Sequence, residues 1–259
     1  MRFSYATLTV SLPVEGVLSV AMNRPEAANA LNAAMGKEIS QLFQSLPECG
    51  AVVLTGSGRA FCAGADLKER HGMDEAQWEA QHRHLRAARD AVLHSPVPVI
   101  AAVNGAAYGG GLELALACDF RYAAAAARLA FSEVKLGIMP GLGGAQFFAR
   151  AAGSGCALEW LLTGKPFTAE EAAGMGLVNR VLTADLLMKE ALATAATIRD
   201  NAPLAVAAIR RAVREGDGAP LEEALERERE FYQALLSTKD RHEGINAFNQ
   251  KRKPVFTGE

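Results

Sequence analysis

Two glutamates sit in this chain where a charge needs a chemical reason. Glu113 closes the run Asn104-Gly105-Ala106-Ala107-Tyr108-Gly109-Gly110-Gly111-Leu112-Glu113, and Glu133 lies inside Leu129-Ala130-Phe131-Ser132-Glu133-Val134-Lys135-Leu136-Gly137. Carboxylates are seldom fully buried unless paired or put to use. Low dielectric penalises the anion and raises the pKa, which brings proton exchange into the neutral range. The pair is therefore a candidate acid/base couple. Gly109-Gly110-Gly111 runs into a helix, and a helix N-terminus offers unpaired N–H groups and the positive end of a dipole to an anion. The competing reading of three glycines is a flexible turn or tight packing. Ala60-Phe61-Cys62-Ala63-Gly64-Ala65-Asp66-Leu67-Lys68 is a second small-residue segment after a strand, from which Ala65 could present another N–H. Two such donors meeting at one oxygen would form an oxyanion hole.

The elements that must position these residues follow from periodicity. Thr7 to Leu12 and Val17 to Met22 alternate with the two-residue period of strands around a Pro13–Gly16 turn, which predicts an opening hairpin. A helix follows over about Asn32 to Ser45, then a buried strand at Ala51 to Leu54 with its exit turn at Gly56 to Gly58. Asp74 is placed to N-cap a helix reaching His94, which Pro96 and Pro98 end. Val99 to Val103 reads as a strand and Leu112 to Ala117 as a helix whose start rests on the glycines. Phe120 to Tyr122 and Leu129 to Phe131 read as short strands. Thr168 with Glu171 forms a capping box for a short helix, and Val178 to Leu182 is the last strand-like run. From about Leu186 the pattern is helical, with four helices over Leu186–Arg199, Pro203–Arg214, Pro220–Leu236 and Thr238–Lys251. The expectation is an α/β core, residues 1–198, carrying a helical region, residues 199–259.

Composition narrows the function. A formal net charge of -2 gives no overall attraction to nucleic acid or an anionic membrane, so any anion site must be local. Cys49, Cys62, Cys118 and Cys156 are widely spaced with no CxxC, which favours reduced core thiols and a reducing, cytoplasm-like compartment. Met1 to Val20 lacks the apolar run of a signal peptide, and no segment reaches the roughly 20 apolar residues of a membrane span. No P-loop, GxSxG elbow or complete GxGxxG occurs. His82 and His84 are two apart on a helix, where they point to different faces, so no metal site is expected and both read as solvated. Cys62 has no histidine tied to it by pattern and reads as a core thiol. The charges from Glu222 to Glu230 read as a solvated helix face, and Lys251-Arg252-Lys253 beside Phe248 as a basic patch able to hold a phosphate and stack a base.

Four blocks in order carry a resemblance: Asn23 to Leu31, Ala60 to Lys68, Asn104 to Asp119, and Glu133 through Pro140-Gly141-Leu142-Gly143-Gly144. With the closing Asp240-Arg241 to Lys251-Arg252 stretch, they make the chain resemble the enoyl-CoA hydratase/isomerase (crotonase) family. The resemblance implies a spiral of β-β-α units followed by a C-terminal helical trimerisation region, giving a homotrimer or dimer of trimers. It implies that the Ala65 and Gly110 amides hold the thioester oxygen of an acyl-CoA substrate, with coenzyme A as part of the substrate and no separate cofactor or metal. It also makes Ala65, Asp66, Leu67 and Lys68 a wall for coenzyme A, with Ala63, Gly110 and Gly141 among the substrate-binding residues and Arg24, Ala27 and Ala28 as further contacts. Phe248 and Lys251 would reach the adenine and phosphate end, on a neighbouring subunit's ligand.

Hydratases of the family use two glutamates at the positions matched by Glu113 and Glu133, while many isomerases retain one. The expected reaction is hydration of a 2-enoyl-CoA, with Glu133 as principal proton donor and Glu113 as activator of water, roles that could be exchanged. Two departures from the family pattern, Phe147-Phe148 and Ser132, fall where the acyl pocket is expected. Gly64 to Arg70 also looks like the methylglutaconyl-CoA hydratases, some of which are described as RNA-binding. An enoyl-CoA isomerase, a methylglutaconyl-CoA hydratase and a non-catalytic acyl-CoA or RNA-binding protein are the alternatives.

Overall fold

A computed structural model of the chain describes residues 4–259. The first three residues of the Met1 to Val20 stretch, with which the expected core also begins, lie outside the described residues. The hairpin forms as β1 (Leu8–Val14) and β2 (Val17–Met22), antiparallel, with the strand running on through Pro13 so that the turn is Glu15-Gly16. Asn32 caps α1 (Ala33–Gln44) by accepting the Met35 N–H at 2.9 Å. From there the chain repeats one manoeuvre. β3 (Ala51–Gly56) joins one sheet, β4 (Ala60–Cys62) joins a second, and helices α2 (Leu67–Arg70) and α3 (Glu75–Leu93) follow. The next turn supplies β5 (Val99–Val103), β6 (Ala106–Tyr108) and α4 (Gly110–Ala117). A third supplies β7 (Phe120–Ala124), β8 (Arg128–Ala130), α5 (Gly144–Ala152) and α6 (Ser154–Thr163).

These turns stack as a spiral of β-β-α units. The larger sheet has the order β1-β2-β3-β5-β7-β10, where β10 is Arg180–Leu182, and the smaller has β4-β6-β8-β9, where β9 is Phe167–Thr168. Within the larger sheet β2, β3, β5, β7 and β10 run parallel. Parallel strands buried on both faces read as unbroken apolar runs, as Ala51 to Leu54 and Val99 to Val103 do. Val52, Leu54 and Ala101 face one cluster with α1, α3 and α4. Val53, Ile100 and Ala102 face the other, covered by Leu187, Ala191 and Ala195 of α8 (Ala184–Arg199). Between the two sheets' last strands lies α7 (Ala169–Gly174), opened by the expected Thr168/Glu171 capping box.

The helical region continues with α9 (Pro203–Gly216), α10 (Leu221–Leu235) and α11 (Lys239–Gln250). Two arginines on successive turns of α9 tie it to the core. Arg210 Nε and Arg214 Nε donate to Asp119 Oδ1 at 2.7 and 3.0 Å, and Arg214 Nη2 donates to Ala117 O at 3.1 Å. Asp119 Oδ2 meanwhile accepts the Val99 N–H at 2.8 Å. One aspartate thus joins the end of α4, the start of β5 and the face of α9. Among the described residues no helix is long and apolar enough to cross a membrane, and no group of three His, Cys, Asp or Glu is placed to hold a metal ion.

Candidate active site

Both expected glutamates are buried, and both line one cavity of about 540 Å³ together with Ala65, Gly110, Gly141 and His82. Glu113 is the single charged residue of α4, a helix of eight residues every one of which is buried. Its Oε1 accepts the Leu142 N–H at 2.6 Å and the Gly144 N–H at 2.7 Å, so the Gly141 to Gly144 loop is folded around this carboxylate. Burial pushes its pKa up to about 7, and the nearby charge of Glu133 adds to the rise while the two amides oppose it. Glu133 opens a short 3-10 turn, Glu133–Leu136, that leaves β8. Burial raises its pKa as well, and its Oε2 has no partner among the described residues. A carboxyl with an unused oxygen facing a cavity can exchange a proton with whatever occupies it.

Gly109 lets these groups come together. Its φ is +47°, a region L side chains rarely adopt, and a Cβ there would fall 2.6 Å from Glu133 Oε1. Gly111 is required for a different reason, since its Cβ would lie 2.3 Å from Cys62 O and prevent α4 from packing on β4. The helix therefore begins at Gly110, two residues earlier than the apolar periodicity from Leu112 predicts. Glycine carries no apolar signal for that periodicity.

The two candidate amide donors are arranged by their neighbours. Leu31 N–H donates to Gly64 O at 2.7 Å and Asp66 N–H to Leu31 O at 2.9 Å, which clamps the backbone on either side of Ala65. Asp66 caps α2 through the Lys68 and Glu69 amides and binds Arg24 Nη1 at 2.8 Å. Burial would raise its pKa, but the Arg24 bond and charge and the two amides prevail and hold it below the usual carboxylate range. Arg24 Nη1 also donates to Ala30 O at 2.7 Å. On the other side Gly109 N–H is taken by Ala130 O at 2.8 Å. The N–H groups of Ala65 and Gly110 have no acceptor among the described residues, and a Cβ built on Gly110 would sit 3.7 Å from Ala65 N. Two free amides side by side, one at a helix N-terminus, form a place for developing negative charge on oxygen.

The other sequence-predicted residues divide into three groups. Ala63 and Leu67 line the cavity with the glutamates. Arg24, Ala27, Ala28 and Asp66 lie behind it, Ala28 O accepting the Ala63 N–H at 3.0 Å, and act on the wall rather than forming it. Lys68 is exposed on α2 outside the cavity, and Phe248, 84% exposed, and Lys251 lie on and just after α11, away from it. Of the two departures, Ser132 reaches the cavity. Phe148 instead packs between Phe131 and Phe167 in the core, and Phe147 faces a separate groove.

Among the cavity residues that were missed, three carry cationic, imidazole or indole side chains. His82 is not a solvated histidine: it is half-buried, and its ring lies against Gly141, whose Cβ would come within 2.7 Å of Cε1. Burial, then the charges of Arg86 and Arg70, hold its imidazole below the usual range. The available signal was helical spacing, because Trp78, His82 and Leu85 share the face of α3 that turns inward. Arg70 and Trp78 line the same wall. Cys62 is a buried thiol whose pKa burial drives to about 12, in keeping with a core role.

Known proteins match this chain over nearly its whole length. The profile of the enoyl-CoA hydratase/isomerase family covers residues 14–259. The enoyl-CoA isomerase/hydratase of Mycosarcoma maydis is 40% identical over 260 residues, covering 96% of this chain and 95% of that protein. The 2,3-dehydroadipyl-CoA hydratase of Escherichia coli K12 is 40% identical over 245 residues, covering 93% and 95%. Among solved structures, the enoyl-CoA hydratase of Bacillus anthracis superposes with a TM-score of 0.95 at 41% identity, covering 98% of this chain and all of that one. The β-β-α spiral thus has its counterpart in sequence as well as in shape, and the chain belongs to the enoyl-CoA hydratase/isomerase family.

Proposed function

We propose that the protein is an enoyl-CoA hydratase, adding water across the C2–C3 double bond of a 2-enoyl-CoA thioester. The observation that carries this reading is the convergence of two buried carboxyl groups and two free amides on one cavity. Hydration makes three demands. The thioester oxygen must hold enolate charge, water must lose a proton as its oxygen bonds to C3, and C2 must gain one. The Ala65 and Gly110 N–H groups meet the first, and each such donor is typically worth on the order of 10²–10³ in rate. Glu113, poised near neutrality, takes the proton from water, and Glu133 delivers one to C2. Each role is typically worth about 10²–10⁴. A proton returned from Glu113 to Glu133 through solvent restores the starting state, so no cofactor or metal is consumed, and coenzyme A enters only as part of the substrate. The 540 Å³ cavity is of ligand-pocket size.

Mixing the protein with crotonyl-CoA should abolish the conjugated-thioester absorbance, and Glu113→Gln or Glu133→Gln should each remove most of the rate. Unchanged turnover in both variants would refute the assignment. Isomerisation of a 3-enoyl-CoA is the second reading, favoured by the unpartnered Glu133 Oε2, which alone could move a proton between C4 and C2. Isotope-labelled water separates the two, because isomerisation adds no oxygen to product. The same reading places the protein in the cytoplasm, without nucleic acid, as a homotrimer or dimer of trimers joined through its helical region. In support, Ile209, Val213, Leu221 and Tyr232 of α9 and α10 are each more than 60% exposed, an apolar surface suited to a partner copy. In that assembly Phe248 and Lys251 would meet the coenzyme A of a neighbouring subunit.

A further inference from the structure

One wall of the cavity carries a positive charge that the neighbouring Glu69 charge reaches but that forms no ion pair among the described residues. Arg70, the last residue of α2, is only 9% exposed. Its Nε donates to Gln81 Oε1 at 2.6 Å, and its guanidinium carbon lies 4.0 Å from the Trp78 ring centroid. These contacts hold the side chain in place through Nε and the ring face, and neither terminal nitrogen makes a hydrogen bond among the described residues. The adjacent carboxylate is used elsewhere. Glu69 accepts the Ala33 N–H at 3.0 Å and a bond from Gln81 Nε2, and it makes no ion pair with Arg70. Glu113 is turned to the Leu142 and Gly144 amides and Glu133 lies against Gly109, so neither pairs with Arg70. His82 lies beside Arg70 on the same wall, its imidazole against the Gly141 backbone. A buried cation is costly unless paired, and a guanidinium fork matches a carboxylate with two parallel bonds.

We propose that Arg70, with His82 beside it, is a subsite for a carboxylate at the far end of the acyl chain, so that the preferred substrate is the 2-enoyl thioester of a dicarboxylic acid. This deepens the hydration reading and rests on it for the reaction. Charge-assisted bonds in such a site should favour the acid over a neutral isostere by on the order of 10–100-fold.

The test compares glutaconyl-CoA and 2,3-dehydroadipyl-CoA, with five- and six-carbon acyl chains, each against its ω-methyl ester. Wild-type protein should show an acid-to-ester ratio in kcat/KM of at least about 10 for one of the two lengths. Arg70→Gln should bring that ratio close to one, and Arg70→Lys should restore part of it. A strut that merely supports α2 would lower acid and ester together and leave the ratio alone. Equal use of acid and ester by the wild type at both lengths, or a ratio that survives Arg70→Gln, overturns the proposal. Calorimetric binding of glutaryl-CoA and its methyl ester, which have no double bond to hydrate, separates the two readings. Acid-selective binding lost in Arg70→Gln, with no enoyl thioester turned over, sustains the subsite and removes the hydration reading. Crotonyl-CoA hydration without acid selectivity does the reverse.

Discussion

Glu113→Gln should make the protein more stable and nearly inactive at the same time. Burial lifts the Glu113 carboxyl from 4.5 to about 7, against the pull of two amide bonds. At 1.36 kcal/mol per pH unit the difference between protonation states is on the order of 3 kcal/mol. The folded-state value lies above the unfolded one, so between about pH 4.5 and pH 7 the folded protein holds a proton that the unfolded chain has lost. Stability therefore falls with rising pH across that window, and the full cost stands above pH 7. Glutamine keeps an oxygen for the Leu142 and Gly144 amides and never ionises. The variant should match the parent near pH 4.5 and exceed it by about 2–3 kcal/mol at pH 8. Urea unfolding at three pH values across that range measures this, while crotonyl-CoA turnover should fall by about 10²–10⁴. A variant less stable than its parent at pH 8, or a difference that does not change with pH, would refute the account of Glu113 as a strained, buried acid.

Three more outcomes are expected. If Glu113 takes the proton from water as an anion, kcat/KM for crotonyl-CoA should decline below about pH 7 as the group protonates, and a flat profile from pH 5.5 to 8 speaks against that role. Gly110→Pro deletes one amide at the first position of α4, where a Cβ would lie 3.3 Å from Leu142 Cδ1, so turnover should drop by on the order of 10²–10³, while Gly110→Ala, which keeps the amide and meets the same contact, should lose far less. Activity within threefold of wild type would remove Gly110 from the oxyanion site. Asp119→Ala leaves Arg210 and Arg214 facing only carbonyl oxygens, at a cost of about 2–4 kcal/mol read by urea unfolding, and a loss under 1 kcal/mol would mean the clamp adds little.

Much of the frame is legible from local physics. Asp74 announces α3 because its side chain can accept an amide three residues on, and the structure has that bond. The hairpin and the strands at β3 and β5 show their two-residue period or unbroken apolar run. β4 and β6 do not, because three residues such as Ala60-Phe61-Cys62 are too few to display a period. Helices α5 and α6 went unread because their apolar faces begin on Gly144 and Ser154 without a capping side chain. The glutamate pair was visible as charge among small residues. Arg70 was not, since in Lys68-Glu69-Arg70 it looks like any solvated turn. Its burial depends on Trp78 and Gln81 from the next helix, a relation only the folded chain creates.

Because every side of α4 is enclosed, the protein divides into a part that cannot drift and a part that can. Sequence libraries aimed at new substrates should leave 109–117 untouched and vary the rim, Leu136, Ile138 and Met139, where side chains meet solvent or ligand instead of the interior. Selectivity can then be retuned by engineering while the charge-holding apparatus at the other end of the chamber keeps its register.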